Sequence, residues 1–293
     1  MADADSTPHQ LVDQLKALLD VEELDRDLYR GDKLPEGRGR VFGGQVIAQA
    51  LSAATKSVEG ERIAHSLHAY FMRPGDDSLP IIYRVERDFD GRSFATRRVI
   101  ALQKGVPILN MAASFQTPEQ GFAHQEDMPD VPPPEALMAE VEHVRANAAT
   151  IEPHLLGWLT RPRPIEIRPV ASRWGNVEAK RPPIQHYWMR AVAPLGDDPE
   201  VHRAILAYVS DMTLLSTSTL PHGIDWSMPN FQSASLDHSL WIHEDLRADD
   251  WLLFTTNSPW TGHARGFNRG SFYTRDGRLV ASAAQEGLIR LRS

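Results

Sequence analysis

The sequence predicts an α+β fold made of two tandem copies of one unit, each a long helix wrapped by an antiparallel β-sheet. Two observations carry this reading. A helical stretch followed by a meander of long strands occurs twice along the 293 residues, and the triplet His65-Ser-Leu returns as His238-Ser-Leu. At the same offset, 238 − 65 = 173, Asp76 is matched by Asp249, and the turn glycines Gly105 and Gly277 fall in step within one residue. Order, spacing and turns agree, so an internal duplication explains them better than chance. The chain length also favours two units that share an interface.

Residues 9–20 place Leu11, Leu15, Leu18 and Leu19 at helical spacing, which predicts a short amphipathic helix packed on the main body. A loop is expected over residues 30–40. The run from Gly43 puts Val46, Ile47, Ala50, Leu51 and Ala54 on one face among many small residues, as suits a helix lying tightly on a sheet. Strands are predicted at 63–73, 81–87, 94–103 and 106–116, with Asp90-Gly91 and Lys104-Gly105 turning between antiparallel neighbours. A polar, proline-containing stretch at 117–134 and a helical piece at 135–149 read as a linker. Extended segments follow at 165–170 and 187–192, then a helix over 200–217 and a second meander over 233–291. The expected division is 1–118 for the first unit, 119–162 for the linker with its helix, and 163–293 for the second unit.

Composition narrows the function. With 31 Lys plus Arg against 39 Asp plus Glu the formal net charge is -8, so the surface repels polyanions and nucleic acid is not an expected partner. A local basic patch remains compatible with a small anionic ligand. The absence of cysteine removes disulfides, thiolate nucleophiles and cysteine-bound metals together. The start Met1-Ala-Asp-Ala-Asp lacks the basic and apolar regions of a signal peptide, and no apolar run approaches the ~20 residues of a membrane span. The closing Arg-Leu-Arg-Ser is not a peroxisomal address. The cytoplasm is the expected compartment. Neither metal nor cofactor is expected: the 12 histidines include no His-Glu-x-x-His, and His65 and His68 would point to opposite faces of one strand. Gly37-Arg-Gly39-Arg-Val-Phe-Gly43 misses the spacing of a dinucleotide loop, and there is neither a Walker loop nor a Gly-x-Ser-x-Gly elbow.

Three residues stand out. Asp211 falls on an apolar helical stripe with Ala207, Tyr208, Leu214 and Leu215 one turn away. A carboxylate buried there is either hydrogen-bonded for structure or raised in pKa to serve as a base, and the residues alone leave both open. Gln285 alternates with Ala281, Ala283, Gly287 and Ile289 on one strand face, where its amide needs a partner. Strict alternation places Ser235 with Ser233, Asp237 and Ser239 on the less apolar face, as an exposed strand serine. His238, among Ala234, Leu236, Leu240 and Ile242, reads as a core histidine, as does His65.

Together these segments resemble the type II acyl-CoA thioesterases, the bacterial and peroxisomal double-hotdog family, across nearly the whole chain. In the first half the resemblance rests on Val41-Phe-Gly-Gly-Gln-Val-Ile-Ala-Gln-Ala-Leu, His65-Ser-Leu-His-Ala-Tyr-Phe-Met-Arg-Pro-Gly-Asp and Ala113-Ser-Phe-Gln. In the second it rests on Leu206-Ala-Tyr-Val-Ser-Asp, Ala234-Ser-Leu-Asp-His-Ser-Leu-Trp, Ala264-Arg-Gly-Phe and Val280-Ala-Ser-Ala-Ala-Gln-Glu-Gly. The resemblance implies a double hotdog that hydrolyses fatty acyl-CoA, with Asp211, Ser235 and Gln285 as the catalytic trio. Serine stands at 235 where some members carry threonine. The resemblance also places the helix start at Gly43, Gly44 and Gln45 as the oxyanion donor set, with the acyl chain in an apolar tunnel between helix and sheet. One active site per chain is expected, because the first-half helix has Gly43 and Gly44 where the second has its acidic segment. Water attack activated by Asp211 is the expected route, with a Ser235 acyl-enzyme as the rival. A hotdog acyl-CoA binding module and an enoyl-CoA hydratase-like enzyme are the alternative functions. Fold analogy adds a homo-oligomer, dimer or tetramer.

Overall fold

Thr7 caps the first helix through a reciprocal bond with Gln10, and proline at the first position suits a helix start, giving α1 (Pro8–Leu19). It buries Leu11, Val12, Leu15, Leu18 and Leu19. The computed structural model of the protein describes residues 6–34, 39–224, 226, 228 and 230–292, the side chain of His154 excepted. Expectations placed on residues 1–5, Gly37, Arg38 and Ser293 lie outside the described residues.

A hairpin of β1 (Val21–Asp25) and β2 (Leu28–Gly31) follows, turning through Asp27 at φ 60. No sequence periodicity predicts it. β1 ends the sheet with one buried residue and four exposed ones, so no alternation marks it. Helix α2 (Gly43–Lys56) is buried along most of its length, as its small residues predict. Strands β3 (Ile63–Phe71), β4 (Ile81–Asp90), β5 (Phe94–Gln103) and β6 (Val106–Gln116) complete the first unit. The β5–β6 turn uses Lys104 at φ 52 and Gly105 at φ 76, the two left-handed residues a tight hairpin requires.

The linker holds α3 (Glu140–Ala146) and a second helix the sequence reading lacks, α4 (Pro153–Thr160). The second unit then runs β7 (Ile165–Pro169), β8 (Ile184–Ala191), α5 (Pro199–Ser210), β9 (Phe231–Ser235), β10 (Asp237–Ile242), β11 (Leu252–Gly262), β12 (Arg265–Thr274) and β13 (Leu279–Leu291).

All thirteen strands join one antiparallel sheet in the order β1-β2-β4-β5-β6-β3-β10-β13-β12-β11-β8-β7, with β9 pairing to β13 in line with β10. The seam between the halves is β3 against β10. There Leu67 faces Leu240, its counterpart at 67 + 173 = 240, and the pairs Ser239–His68 and Trp241–Ser66 interchange under the same offset. The duplication is thus a two-fold relation whose axis passes between Leu67 and Leu240. Helix α2 packs on β3–β6 and against α5, which meets β10, so one core spans both halves.

Arg97 is the largest fully buried side chain, and it bonds Ser57 Oγ at 2.9 Å, Phe89 O at 3.1 Å, Thr96 O at 3.0 Å and Asp90 Oδ1 at 2.7 Å. Arg97→Met strands these acceptors, so we expect a loss of about 2–4 kcal/mol, read as a lower denaturation midpoint, with substrate KM unaltered.

Candidate active site

Helix α5 stops at Ser210, and Asp211 is its C-cap at φ -91, ψ -8. This corrects the expected helix over 200–217: the chain turns after Asp211 and resumes as a 3-10 helix at Leu214–His222. The N-terminus of α2 meets this end of α5. A Cβ on Gly43 would lie 2.6 Å from Asp211 Oδ2, and one on Gly44 would lie 2.3 Å from the Tyr208 carbonyl oxygen, so only glycines let the two helices meet. The backbone N–H of Gly44 donates to the Asp211 carboxylate.

Gln285 and Ser235 reach the same carboxylate from the sheet. Gln285 Nε2 donates to Asp211 Oδ1 at 2.5 Å and to Ser235 Oγ at 3.0 Å, while Ser235 Oγ donates to Asp211 Oδ1 at 3.3 Å. The three expected residues therefore form a closed triangle. Gln285 sits on the buried face of β13, as its alternation predicts.

Ser235 is not the exposed strand serine that strict alternation predicts. Ser235 pairs with Gly287 and Ser239 with Ala284, so four steps on one strand face three on the other. That extra residue is a β-bulge; it reverses the parity and brings Ser235 to the side of His238 and Leu240. The bulge is held by Leu236 N–H donating to Glu286 O at 2.9 Å and Glu286 N–H donating to Asp237 Oδ1 at 2.7 Å.

Burial pushes Asp211 up from 3.8 to about 6, opposed by the bonds from Gln285, Ser235 and Gly44. Those opposing groups are neutral donors, so no cation holds the carboxylate ionised. Gln285 Oε1 is buried without a partner, which leaves the amide oriented by its Nε2 alone.

Asp211, Ser235 and Gly43 all open on a cavity of about 1550 Å³. Its walls are α1 (Leu11, Leu15, Leu18), α4 with Trp158, and the segment after β7, with Tyr208 and Met212 beside Asp211. The chamber lies under the linker and α1, with Ile165, Ile167, Tyr187 and Ser233 of the sheet on its other side, and Arg40, Arg161, Arg163 and Arg173 border it. The expected donor set changes as well. Gln45 N–H bonds Phe42 O at 3.1 Å and its side chain donates to Asp32 O at 3.2 Å, so it does not face the cavity. Gly44 serves Asp211, and Gly43 remains on the wall.

Among the described residues no group of three His, Cys, Asp or Glu is placed to hold a metal ion, and no helix is long and apolar enough to cross a membrane.

Residues 163–288 match the family described as acyl-CoA thioesterase, and residues 32–116 match the acyl-CoA thioesterase N-terminal domain. The chain is 41% identical to acyl-coenzyme A thioesterase 8 of Homo sapiens over 283 residues, covering 94% of this chain and 88% of that one. The chain belongs to the acyl-CoA thioesterase family. Acyl-CoA thioesterase 2 of Haemophilus influenzae is 37% identical, with 96% and 98% covered. The crystal structure of the acyl-CoA thioesterase II TesB2 from Mycobacterium marinum superposes with a TM-score of 0.78 at 38% identity, covering 95% of this chain and 99% of that one.

In this thioesterase the duplication shows why the first half has no second trio. Pairs His68–Ala112 and Trp241–Ser282 are equivalent, so the last strands correspond at 282 − 112 = 170, and Gln285 answers to Phe115, which is fully buried. Ser235 answers to Arg62 at the strand offset of 173. The C-cap of α2 is Ser57, bound by Arg97, where α5 ends in Asp211. A buried phenylalanine, a half-buried arginine and a serine held by Arg97 stand in the places of the reactive groups.

Two neighbours of the trio escaped the sequence reading as site residues. Periodicity places His238 in the core and Asp237 on the outward face, yet both touch residues adjacent to the trio. The signal was present in the Ser-Leu-Asp-His run, but alternation across the bulge concealed it.

Proposed function

We propose that the thioesterase hydrolyses fatty acyl-CoA to a fatty acid and coenzyme A by direct water attack, with Asp211 as general base. One observation carries the reading: a carboxylate with a near-neutral pKa is shared by an amide and a hydroxyl at the wall of a large cavity. At pH 7 a base with a pKa of about 6 is mostly ionised and still basic enough to accept a proton in the transition state.

Asp211 takes one proton from water as the oxygen bonds to the thioester carbonyl carbon; Ser235 and Gln285 hold that water. The oxyanion is met by the N–H of Gly43, at the helix start where the first amides lack intrahelical partners. The C–S bond then breaks. A thiolate whose conjugate acid has a pKa of about 8.5 leaves without a strong acid, and the proton on Asp211 returns to it. An enoyl-CoA hydratase-like reaction is disfavoured, since His238 is fully buried behind Ser210 rather than facing the cavity. We also propose a cytoplasmic homo-oligomer: a chain without cysteine suits a reducing compartment, and exposed Tyr70 and Trp241 on the central strands offer an apolar surface to a second copy.

The test is thiol release from acyl-CoA esters of increasing length, followed across pH. We expect kcat/KM to fall about tenfold per pH unit below about 6, because the reacting form is the ionised one. Gln285→Ala removes the hydrogen bond that most lowers the Asp211 pKa, so the acid limb moves to higher pH while the plateau falls. A limb that stays in place in this variant contradicts the assignment of the base.

A further inference from the structure

We infer that Asp237 and His238 are positioning residues, a brace that fixes the base and the amide of the trio through the residues beside them. The first arm is Asp237: its Oδ1 accepts the N–H of Glu286 at 2.7 Å, the residue after Gln285. The second arm is His238, whose Nε2 lies 2.8 Å from Ser210 Oγ, the residue before Asp211. Ser235 begins the same four-residue run, so Ser235, Leu236, Asp237 and His238 tie β13 and the end of α5 to one short segment.

The duplication supplies an internal control. The first half also has a bulge at this place, between Ala64 and Ser66, with alanine at the counterpart of Asp237 (237 − 173 = 64). The bulge therefore forms without a carboxylate. His65, the counterpart of His238, bonds Ser114 Oγ on β6 at 2.8 Å rather than the end of the helix. Both arms occur only in the half that carries the trio, whereas a brace required by the fold would occur in both.

The chemistry of the second arm is a hydrogen bond and not proton transfer. Ser210 Oγ donates to Ala207 O at 2.8 Å, so the imidazole Nε2–H donates to Ser210 Oγ. Burial lowers the pKa of His238 to about 4, which keeps the ring neutral where the enzyme works. Sub-ångström placement of a base matters for rate far more than for binding, since a misplacement near 1 Å costs about 10²-fold.

The experiment is steady-state kinetics of the full chain with Asp237→Ala, Asp237→Asn, His238→Phe, Ser210→Ala and the His238→Phe/Ser210→Ala double variant. Asp237→Ala is expected to lower kcat about 10- to 100-fold with KM within about twofold. Asp237→Asn keeps an oxygen acceptor for the Glu286 N–H and is expected to recover kcat to within about threefold. Ser210→Ala and His238→Phe break the same bond, so the double variant is expected to be no slower than the slower single one. Asp237→Ala with unaltered kcat overturns the first arm, as does Asp237→Asn impaired like alanine; additive losses in the double variant overturn the second. The inference rests on the trio reading proposed above, and the two fail separately. Asp211→Asn retaining turnover removes the trio, whereas unaltered kcat in Asp237→Ala and independent effects at 210 and 238 remove only the brace. Should His238→Phe not fold, Ser210→Ala alone decides the second arm, by a kcat loss with KM unchanged or by no loss.

Discussion

Asp211→Asn lowers kcat about 10²- to 10⁴-fold on every acyl-CoA ester, the range for loss of a general base. Substrate KM changes little, because the carboxylate acts on water and not on the nucleotide. Stability moves the other way. The folded-state pKa of about 6 exceeds the ordinary 3.8, so folding favours the protonated form. The contribution of this group is full below pH 3.8 and is lost as pH rises through about 6. At neutral pH its ionisation therefore costs up to roughly 3 kcal/mol. Asparagine never ionises; its carbonyl still accepts from Gln285 and Ser235, while its amide nitrogen loses the Gly44 N–H bond, a cost of about 1 kcal/mol that leaves a net gain. Thermal denaturation at pH 7.5 is expected to show Asp211→Asn more stable than the native chain, with the advantage gone at pH 4. A less active variant that is also less stable at neutral pH indicates a structural carboxylate instead.

Gly44→Ala is the second large effect. Its Cβ would lie 2.3 Å from the Tyr208 carbonyl oxygen, a backbone atom at the end of α5, and 2.5 Å from the Phe42 ring. The ring can turn, but the carbonyl yields only if α2 and α5 move apart. That movement breaks the Gly44 N–H bond to Asp211 and shifts the base relative to Ser235 and Gln285 on the sheet. We expect about 1–3 kcal/mol of lost stability from the forced contact and a kcat loss on the order of 10²-fold from misplacement. Kinetics beside a denaturation curve check both; wild-type values in both measurements contradict the close helix contact. An alanine replacing a helix glycine at an unobstructed site stabilises instead, so the sign is informative.

The legible parts of the fold follow from burial. β5 and β6 were readable to their ends because both alternate against a continuous core and turn at Lys104-Gly105. The β1–β2 hairpin was not, because an edge strand with polar residues on both sides carries no period. Gln285 was legible as a buried amide since β13 alternates without interruption around it, and Asp211 because a carboxylate stood among apolar neighbours. The end of α5 was hidden, as neither glycine nor proline follows Asp211 directly and the apolar pattern continues into the 3-10 helix. Ser235 was placed on the wrong face for one reason: a bulge adds a residue that no sequence periodicity reveals. The role of Gly44 depends on its meeting Tyr208, 208 − 44 = 164 residues away in sequence, where two helices come end to end, and only the assembled structure displays that contact.

Rapid-quench single turnover with intact-mass detection tests the central claim most directly. Water attack predicts that free coenzyme A and free fatty acid appear together at equal rates, with no acylated protein at any time and with Ser235→Ala slowed but active. A burst of coenzyme A ahead of the acid, together with an acyl ester on Ser235 that forms and decays fast enough to account for turnover, contradicts it and makes Ser235 the nucleophile.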